Sequence, residues 1–240
     1  MLKMIIVNSR AGQRSNRLVT IAHAMATAIE RCESLRLTAF DAFKDDYHMD
    51  VQWGGRVIIG DSKFWEMVRL VIAAFKRIGW KGLLKGRIVS DWSYRDGKSI
   101  KKHEDLIRAF FQPRNIQNVV TDVDNLKKDG ETLVGVHVRR GDYKDFEGGR
   151  YYYEDDVYEC NKNAVRTELE NKGHKVRFLM FPRGAAVADQ WMMSQCDYLM
   201  GPPSTFTMWA SFMGKVPLGI IKDRNHTLVL SDFKYEGLIA

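Results

Sequence analysis

The chain has 240 residues, of which 45% are hydrophobic and 28% charged. That mixture excludes a mainly disordered, collagen-like or coiled-coil protein, and the length suits one large domain or two small ones with a sizeable core. Lys and Arg number 37 against 30 Asp and Glu, a net charge of +7 that favours an anionic partner: nucleic acid, a membrane surface or a phosphorylated small molecule.

Cys32, Cys160 and Cys196 are odd in number and far apart. With no C-x-x-C pair among them, a disulfide framework or zinc knuckle is not expected, and a reducing compartment is. His23 and His174 stand alone, and the histidines show no metal-ligand spacing. The short apolar run Met4–Val7 does not reach the ~7–15 residues of a signal-peptide core. The uncharged stretch from Tyr198 to Gly214 is interrupted by Pro202-Pro203 and does not read as a membrane span. The expectation is a soluble cytoplasmic protein.

In chain order, Met4-Ile-Ile-Val7 reads as a short buried strand. A loop follows, Ser15 caps a helix to about Arg31, and Leu35 to Phe40 is a second strand. Strand, loop, helix, strand is the rhythm of a parallel sheet. Ser62 to Ile78 has helical spacing, with Phe64 and Trp65 expected in the core. Lys101 to Phe111 reads as a helix stopped before Pro113. After Gly130 the rhythm resumes. Leu133–Val138, Val176–Phe181, Tyr198–Met200 and Val216–Ile221 read as strands. Helices are expected over Val157–Lys172, Ala185–Ser194 and Ser204–Met213, so 132–222 forms a doubly wound unit. Pro, Asn, Asp and Lys cluster over 113–131 and mark a domain boundary.

Three loops could carry chemistry. Val136-His-Val-Arg-Arg-Gly-Asp-Tyr143 lies where a strand ends, the edge at which open α/β sheets bind ligands. Guanidinium forks match phosphate oxygens, and Asp142 could hold one of the two arginines; a solvated ion pair is the alternative. Gly201-Pro-Pro-Ser-Thr-Phe-Thr207 places Ser204 or Thr205 at a helix N-terminus, which is either an anion site or a plain N-cap. Gly12-Gln-Arg-Ser-Asn-Arg17 joins the first strand to the first helix but is too poor in glycine for a dinucleotide or Walker loop.

These three segments resemble, in order and spacing, the motifs of the α-1,2-fucosyltransferases, glycosyltransferase family 11, which are related to the α-1,6- and protein O-fucosyltransferases. His137 to Tyr143 is similar to their second motif. Asp197 to Ala210, with its Ser-Thr-Phe run before Trp209, is similar to the third, and Gly12 to Arg17 resembles the first. The resemblance covers about half the chain. It implies an α/β GT-B architecture of two Rossmann-like halves with parallel sheets: an acceptor-side half over 1–120 and a nucleotide-sugar-binding half over 121–240, with the donor between them. It implies inverting, metal-independent transfer of fucose from GDP-fucose to a hydroxyl of a glycan acceptor, with no cofactor.

By position, the resemblance assigns Arg139 and Arg140 to the donor, Arg140 to its β-phosphate. His137 and Asp142 shape that loop. Ser204, Thr205 and Phe206 meet the diphosphate or nucleotide, and Asn16 reaches it from the other half. Glu147, ten residues after the motif histidine, is the implied base, with the acidic run Glu154-Asp-Asp156 as a rival that also reads as a solvated helix start. This chain departs from the pattern at Ser15, where glycine precedes the asparagine, and at Phe181-Pro-Arg-Gly184, where relatives carry acidic residues.

Such chemistry suits the residues, because charge growing on a leaving diphosphate needs arginines and a helix N-terminus when no metal supplies the stabilisation. Other readings stand beside it. Asp122-Val-Asp124 could hold a divalent cation under a different nucleotide sugar. Phe75 to Arg87, with Lys76, Arg77, Lys81 and Lys85, suits a peripheral contact with anionic headgroups, or else a helix that solvates its lysines. A non-catalytic nucleotide- or nucleic-acid-binding protein fits the charge, but no nucleic-acid-binding motif is present and no nucleic-acid partner is expected.

Overall fold

A computed structural model describes residues 4–8, 12–38, 40, 43–49, 51, 53–59, 88–89, 93–114, 116 and 130–238. The expected helix over 62–78, the basic apolar stretch over 75–87 and the Asp122/Asp124 pair lie outside these residues. The chain divides into two compact units, residues 1–114 with 238–240, and residues 115–237.

In the first unit, β1 (Met4–Val7), β2 (Ser34–Leu37), β3 (Val57–Ile59) and β4 (Ile88–Val89) form a parallel sheet in the order β3-β2-β1-β4. Helix α1 (Arg14–Glu30) crosses from β1 to β2. It is buried on every side from Leu18 to Ile29, with Leu18, Ala22, Ala24, Met25, Ala26 and Ala28 fully buried, and it packs against α2 (Gly97–Phe110). The middle of this helix therefore belongs to the core, and its small alanines allow its neighbours to come close.

Two sequence expectations are corrected here. Ser15 does not cap α1: Gln13 holds the N-cap position without a side-chain capping bond, and Ser15 is buried in the first turn. Helix α2 starts four residues before the expected Lys101, because Asp96 accepts a 3.0 Å hydrogen bond from Ser99 N and so caps a turn of poor helix formers.

In the second unit, β5 (Glu131–His137), β6 (Lys175–Phe181), β7 (Tyr198–Gly201) and β8 (Leu218–Ile220) are parallel in the order β6-β5-β7-β8. Strand β5 pairs along its whole length with β6, from Glu131 opposite Lys175 to His137 opposite Phe181, and pairs with β7 on its other side. Three helices link them: α3 (Asp155–Glu170), α4 (Ala186–Ser194) and α5 (Thr205–Gly214).

The alternation of β5 sends Val134 and Val136 to one face, where α3 supplies Val157, Tyr158, Val165 and Leu169. Leu133 faces the other side, with Met192 and Met193 of α4 and Ala210 of α5. Each such buried side chain contributes roughly 1.5–3 kcal/mol. With helices on both faces, the near-continuous apolar run of β5 is what a central parallel strand requires. The segment after β8 folds back over the α3 face. Leu228 and Phe233 join that core, and Lys234 pairs with Leu218 in an isolated antiparallel bridge.

Candidate active site

The chain leaves β5 for β6 on one side and returns to β7 on the other, so the order of the second sheet reverses between β5 and β7. The carboxyl ends of two such strands open a crevice for ligands. His137 ends β5 and Gly201 ends β7, so the second and third sequence motifs begin side by side. Gly201 is required there. A Cβ at this position would lie 2.7 Å from the carbonyl oxygen of His137.

His137 is buried, and its Nδ1 lies 2.6 Å from the Thr207 hydroxyl, two residues into α5. Its ring stacks on Phe206 with centroids 5.1 Å apart. Burial, aided by the charge of Arg139, pushes its pKa down from 6.5 to about 4. His137 is therefore neutral at pH 7 and acts as a polar rivet between strand and helix, not as a cation.

The two arginines diverge. Arg139 pairs with Asp142 at 2.8 Å, and its guanidinium lies over the Tyr143 ring at 4.9 Å. Its backbone N–H donates to the Tyr158 hydroxyl of α3 at 3.3 Å. Arg140 turns toward the start of α3. It donates to the Tyr153 carbonyl at 2.8 Å, meets Glu154 at 3.3 Å, pairs with Asp155, and lies over the Tyr152 ring at 5.4 Å.

Tyr143 ties the arginine loop to the loop after β7 through a 2.6 Å bond to the Pro203 carbonyl. Burial raises its pKa, although a hydrogen bond with Ser204 opposes the rise. Ser204 is the N-cap of α5 and accepts from Phe206 N at 3.2 Å, and no acidic residue occupies the first turn of that helix. Ser204 thus caps the helix, and the positive end of α5 lies at this edge of the sheet.

His137, Arg139, Arg140, Asp142, Ser204, Thr205 and Phe206 are therefore brought together on adjoining loops of one sheet edge. Glu147 is set apart: it is exposed and sits in a second 3-10 turn, Phe146–Gly149, with a left-handed backbone at φ 47. Asn16 belongs to the first unit, in the first turn of α1. It packs against Gly12, where a Cβ would come within 2.5 Å of its Nδ2 and where φ is +76. Around it, Arg14 pairs with Asp46 and lies over Phe43 at 4.6 Å, while Arg17 Nε donates to the Gly12 carbonyl at 3.3 Å.

Sequence reasoning missed Tyr143, Tyr158 and Thr207 as the ties that hold these loops. Thr207 and Tyr143 lie inside the two motifs, so their hydroxyls beside buried or loop positions were the available signal. Among the described residues, no group of three or more His, Cys, Asp or Glu is arranged to hold a metal ion. No described helix is long and apolar enough to cross a membrane.

No protein-family model matches the chain. Among curated proteins it is similar to an α-1,2-colitosyltransferase of Escherichia coli, with 24% identity over 166 residues. The match takes in 58% of this chain and 56% of the relative, so the chain aligns with just over half of that protein's length. Among solved structures it is similar to the fucosyltransferase NodZ from Bradyrhizobium, with a TM-score of 0.57, 17% identity and 94% and 97% of the two chains covered. A structure of NodZ α-1,6-fucosyltransferase soaked with GDP-fucose gives a TM-score of 0.55 at 16% identity, over 97% of both chains. A mutant of Arabidopsis thaliana FUT1 in complex with GDP gives 0.61 at 12% identity, over 98% of this chain and 73% of that one. These likenesses show a GT-B-like α/β fold of two parallel-sheet halves; in fold the similarity is to fucosyltransferases, and in sequence to an α-1,2-colitosyltransferase.

Proposed function

We propose that the chain is an inverting, metal-independent glycosyltransferase that transfers fucose from GDP-fucose to a hydroxyl of a glycan acceptor. The observation that carries this reading is the pair Arg139 and Arg140 at the β5/β7 reversal, tied to the N-terminus of α5 through Tyr143–Pro203 and His137–Thr207. A diphosphate leaving group gathers negative charge as the sugar bond breaks. A guanidinium fork and free helix N–H groups stabilise that charge without a metal.

In this reading Arg140 meets the β-phosphate, and Ser204, Thr205 and Phe206 offer the helix end. His137 stays neutral and holds the loop, and Asp142 orients Arg139. Asn16 is a further residue that the motif resemblance alone assigns to the donor. A carboxylate must take the acceptor proton; Glu147 is the residue that the motif resemblance assigns. The GDP-fucose soaked into NodZ and the GDP in the FUT1 complex support a guanine nucleotide.

Calorimetric titration with GDP, UDP and CDP in EDTA tests the reading, with Arg140→Ala alongside. GDP binding that the substitution abolishes is expected. A preference for UDP, or binding only after Mn²⁺ is added, defeats it. The sequence likeness to a colitosyltransferase favours a second reading in which colitose is the sugar transferred. Turnover of the two sugars offered side by side as GDP-linked donors decides between them.

A further inference from the structure

We infer that Glu154 is the general base of the proposed transfer and that donor binding releases it from Arg140. This rests on the reading of Arg140 as the diphosphate residue. Asp142, Glu154 and Asp155 meet the two arginines, and Asp156 follows them in sequence. Asp142 is engaged by Arg139 at 2.8 Å. Asp156 accepts from the backbone N–H of Val157 at 2.9 Å. Asp155 is the first residue of α3, where its charge faces the helix N-terminus, and it pairs with Arg140 Nη2.

Glu154 differs from these. It occupies the N-cap position of α3, yet its side chain caps nothing. It reaches instead to Arg140 Nη1 at 3.3 Å, with 64% of the side chain exposed. An exposed pair of that length is weak and easily exchanged for a doubly charged diphosphate. Arg140 keeps its place meanwhile, because the Tyr153 carbonyl and the Tyr152 ring hold it from behind. The two carboxylates thus occupy the anion position until the donor arrives.

Once displaced, the Glu154 carboxylate lies beside the diphosphate-bearing guanidinium with the longest reach of the group. It takes the proton of the acceptor hydroxyl. The acceptor oxygen then bonds to the anomeric carbon, the bond from that carbon to the β-phosphate oxygen breaks, and its electron pair leaves with GDP. Water in place of the glycan gives donor hydrolysis with the same balance.

The test compares the wild type with Glu154→Gln, Glu154→Asp and Glu147→Gln. Two quantities are read: GDP affinity by calorimetry, and GDP release from GDP-fucose in water across pH. Glu154→Gln is expected to bind GDP as tightly as the wild type or a few-fold more tightly. It should release GDP about 10²- to 10⁴-fold more slowly and lose the acidic limb of the pH profile. Glu154→Asp should recover part of the rate. The inference is overturned if Glu154→Gln keeps the wild-type rate, if it loses GDP affinity in step with rate, or if Glu147→Gln alone abolishes turnover. A wild type that binds no GDP defeats the donor assignment itself, and one that binds GDP but leaves GDP-fucose intact defeats the sugar; the base falls with either.

Discussion

Tyr143 donates a 2.6 Å hydrogen bond to the carbonyl oxygen of Pro203 and so joins the arginine loop after β5 to the loop after β7. The two loops are 60 residues apart in sequence. His137 to Thr207 reinforces the same junction, and the N–H of Arg139 ties the arginine loop to the Tyr158 hydroxyl of α3. Hydroxyl groups thus hold the loop that carries the arginines, while the guanidiniums take their directions from Asp142, the Tyr153 carbonyl, Glu154 and Asp155.

Tyr143→Phe removes that hydroxyl and keeps the ring beneath Arg139. It leaves the Pro203 carbonyl without its partner at a largely buried site, at a cost of about 1–3 kcal/mol. The expected outcome is a stability loss in that range by denaturant unfolding, together with weaker GDP binding. Unchanged GDP affinity would mean that the tie supports the fold but not the donor loop.

Acid sensitivity follows from His137. Its pKa falls from 6.5 when unfolded to about 4 when folded. Above pH 6.5 both states are neutral and the group contributes nothing to the pH dependence. As pH drops from 6.5 to 4, the unfolded chain takes up the proton first, so folding stability declines, by roughly 3 kcal/mol once both states are protonated. Burial also lowers the pKa of His23, in the first unit, and adds loss of the same sign. The readout is therefore a difference: His137→Gln should flatten the stability slope between pH 7 and pH 4 relative to the wild type. Equal slopes would refute the assignment.

Most of this fold is legible in the sequence because parallel strands buried on both faces write themselves as apolar runs. Leu133 to Val136 is such a run in the central strand β5, while the apolar run Phe178 to Phe181 lies in the edge strand β6 with Met180 exposed. Helix starts are less legible. The cap of α2 is Asp96, followed by Gly97 and Lys98, which carry no apolar period. Of the site, the two motifs that flank the β5/β7 reversal were readable, since residue type and strand end suffice to mark an anion loop. The partners of Arg140 were not. Its pairing with Glu154 and Asp155 depends on how the 3-10 turns at 141–149 carry the chain back to α3, a path fixed by tertiary packing and not by local pattern.

Arg140→Lys separates charge from geometry. Lysine keeps the positive charge but loses the planar fork that can grip two phosphate oxygens. A charge-assisted hydrogen bond contributes about 1.5–3 kcal/mol, or about 10- to 150-fold in affinity. Calorimetry should find GDP bound about tenfold more weakly by Arg140→Lys and more weakly still by Arg140→Ala. Equal losses in both would show that the fork carries the whole effect, and no loss in either would remove Arg140 from the donor site.

Asn161 is buried within the second unit and joins α3 to the segment after β8. Its Nδ2 donates to the carbonyls of Val157 at 2.9 Å and His226 at 3.1 Å, and its Oδ1 accepts from Leu228 N at 2.8 Å. Leucine at this position would match the volume but strand a buried N–H and a buried carbonyl. Each stranded group costs about 1–3 kcal/mol, so Asn161→Leu should lose roughly 2–5 kcal/mol in denaturant unfolding. Because the residue lies under α3 and not on the arginine loop, GDP affinity of the variant that stays folded should match the wild type. A large stability loss with intact affinity would place the C-terminal segment in the framework of the unit, whereas an equal loss of affinity would show that the start of α3, with Glu154 and Asp155, moves with it.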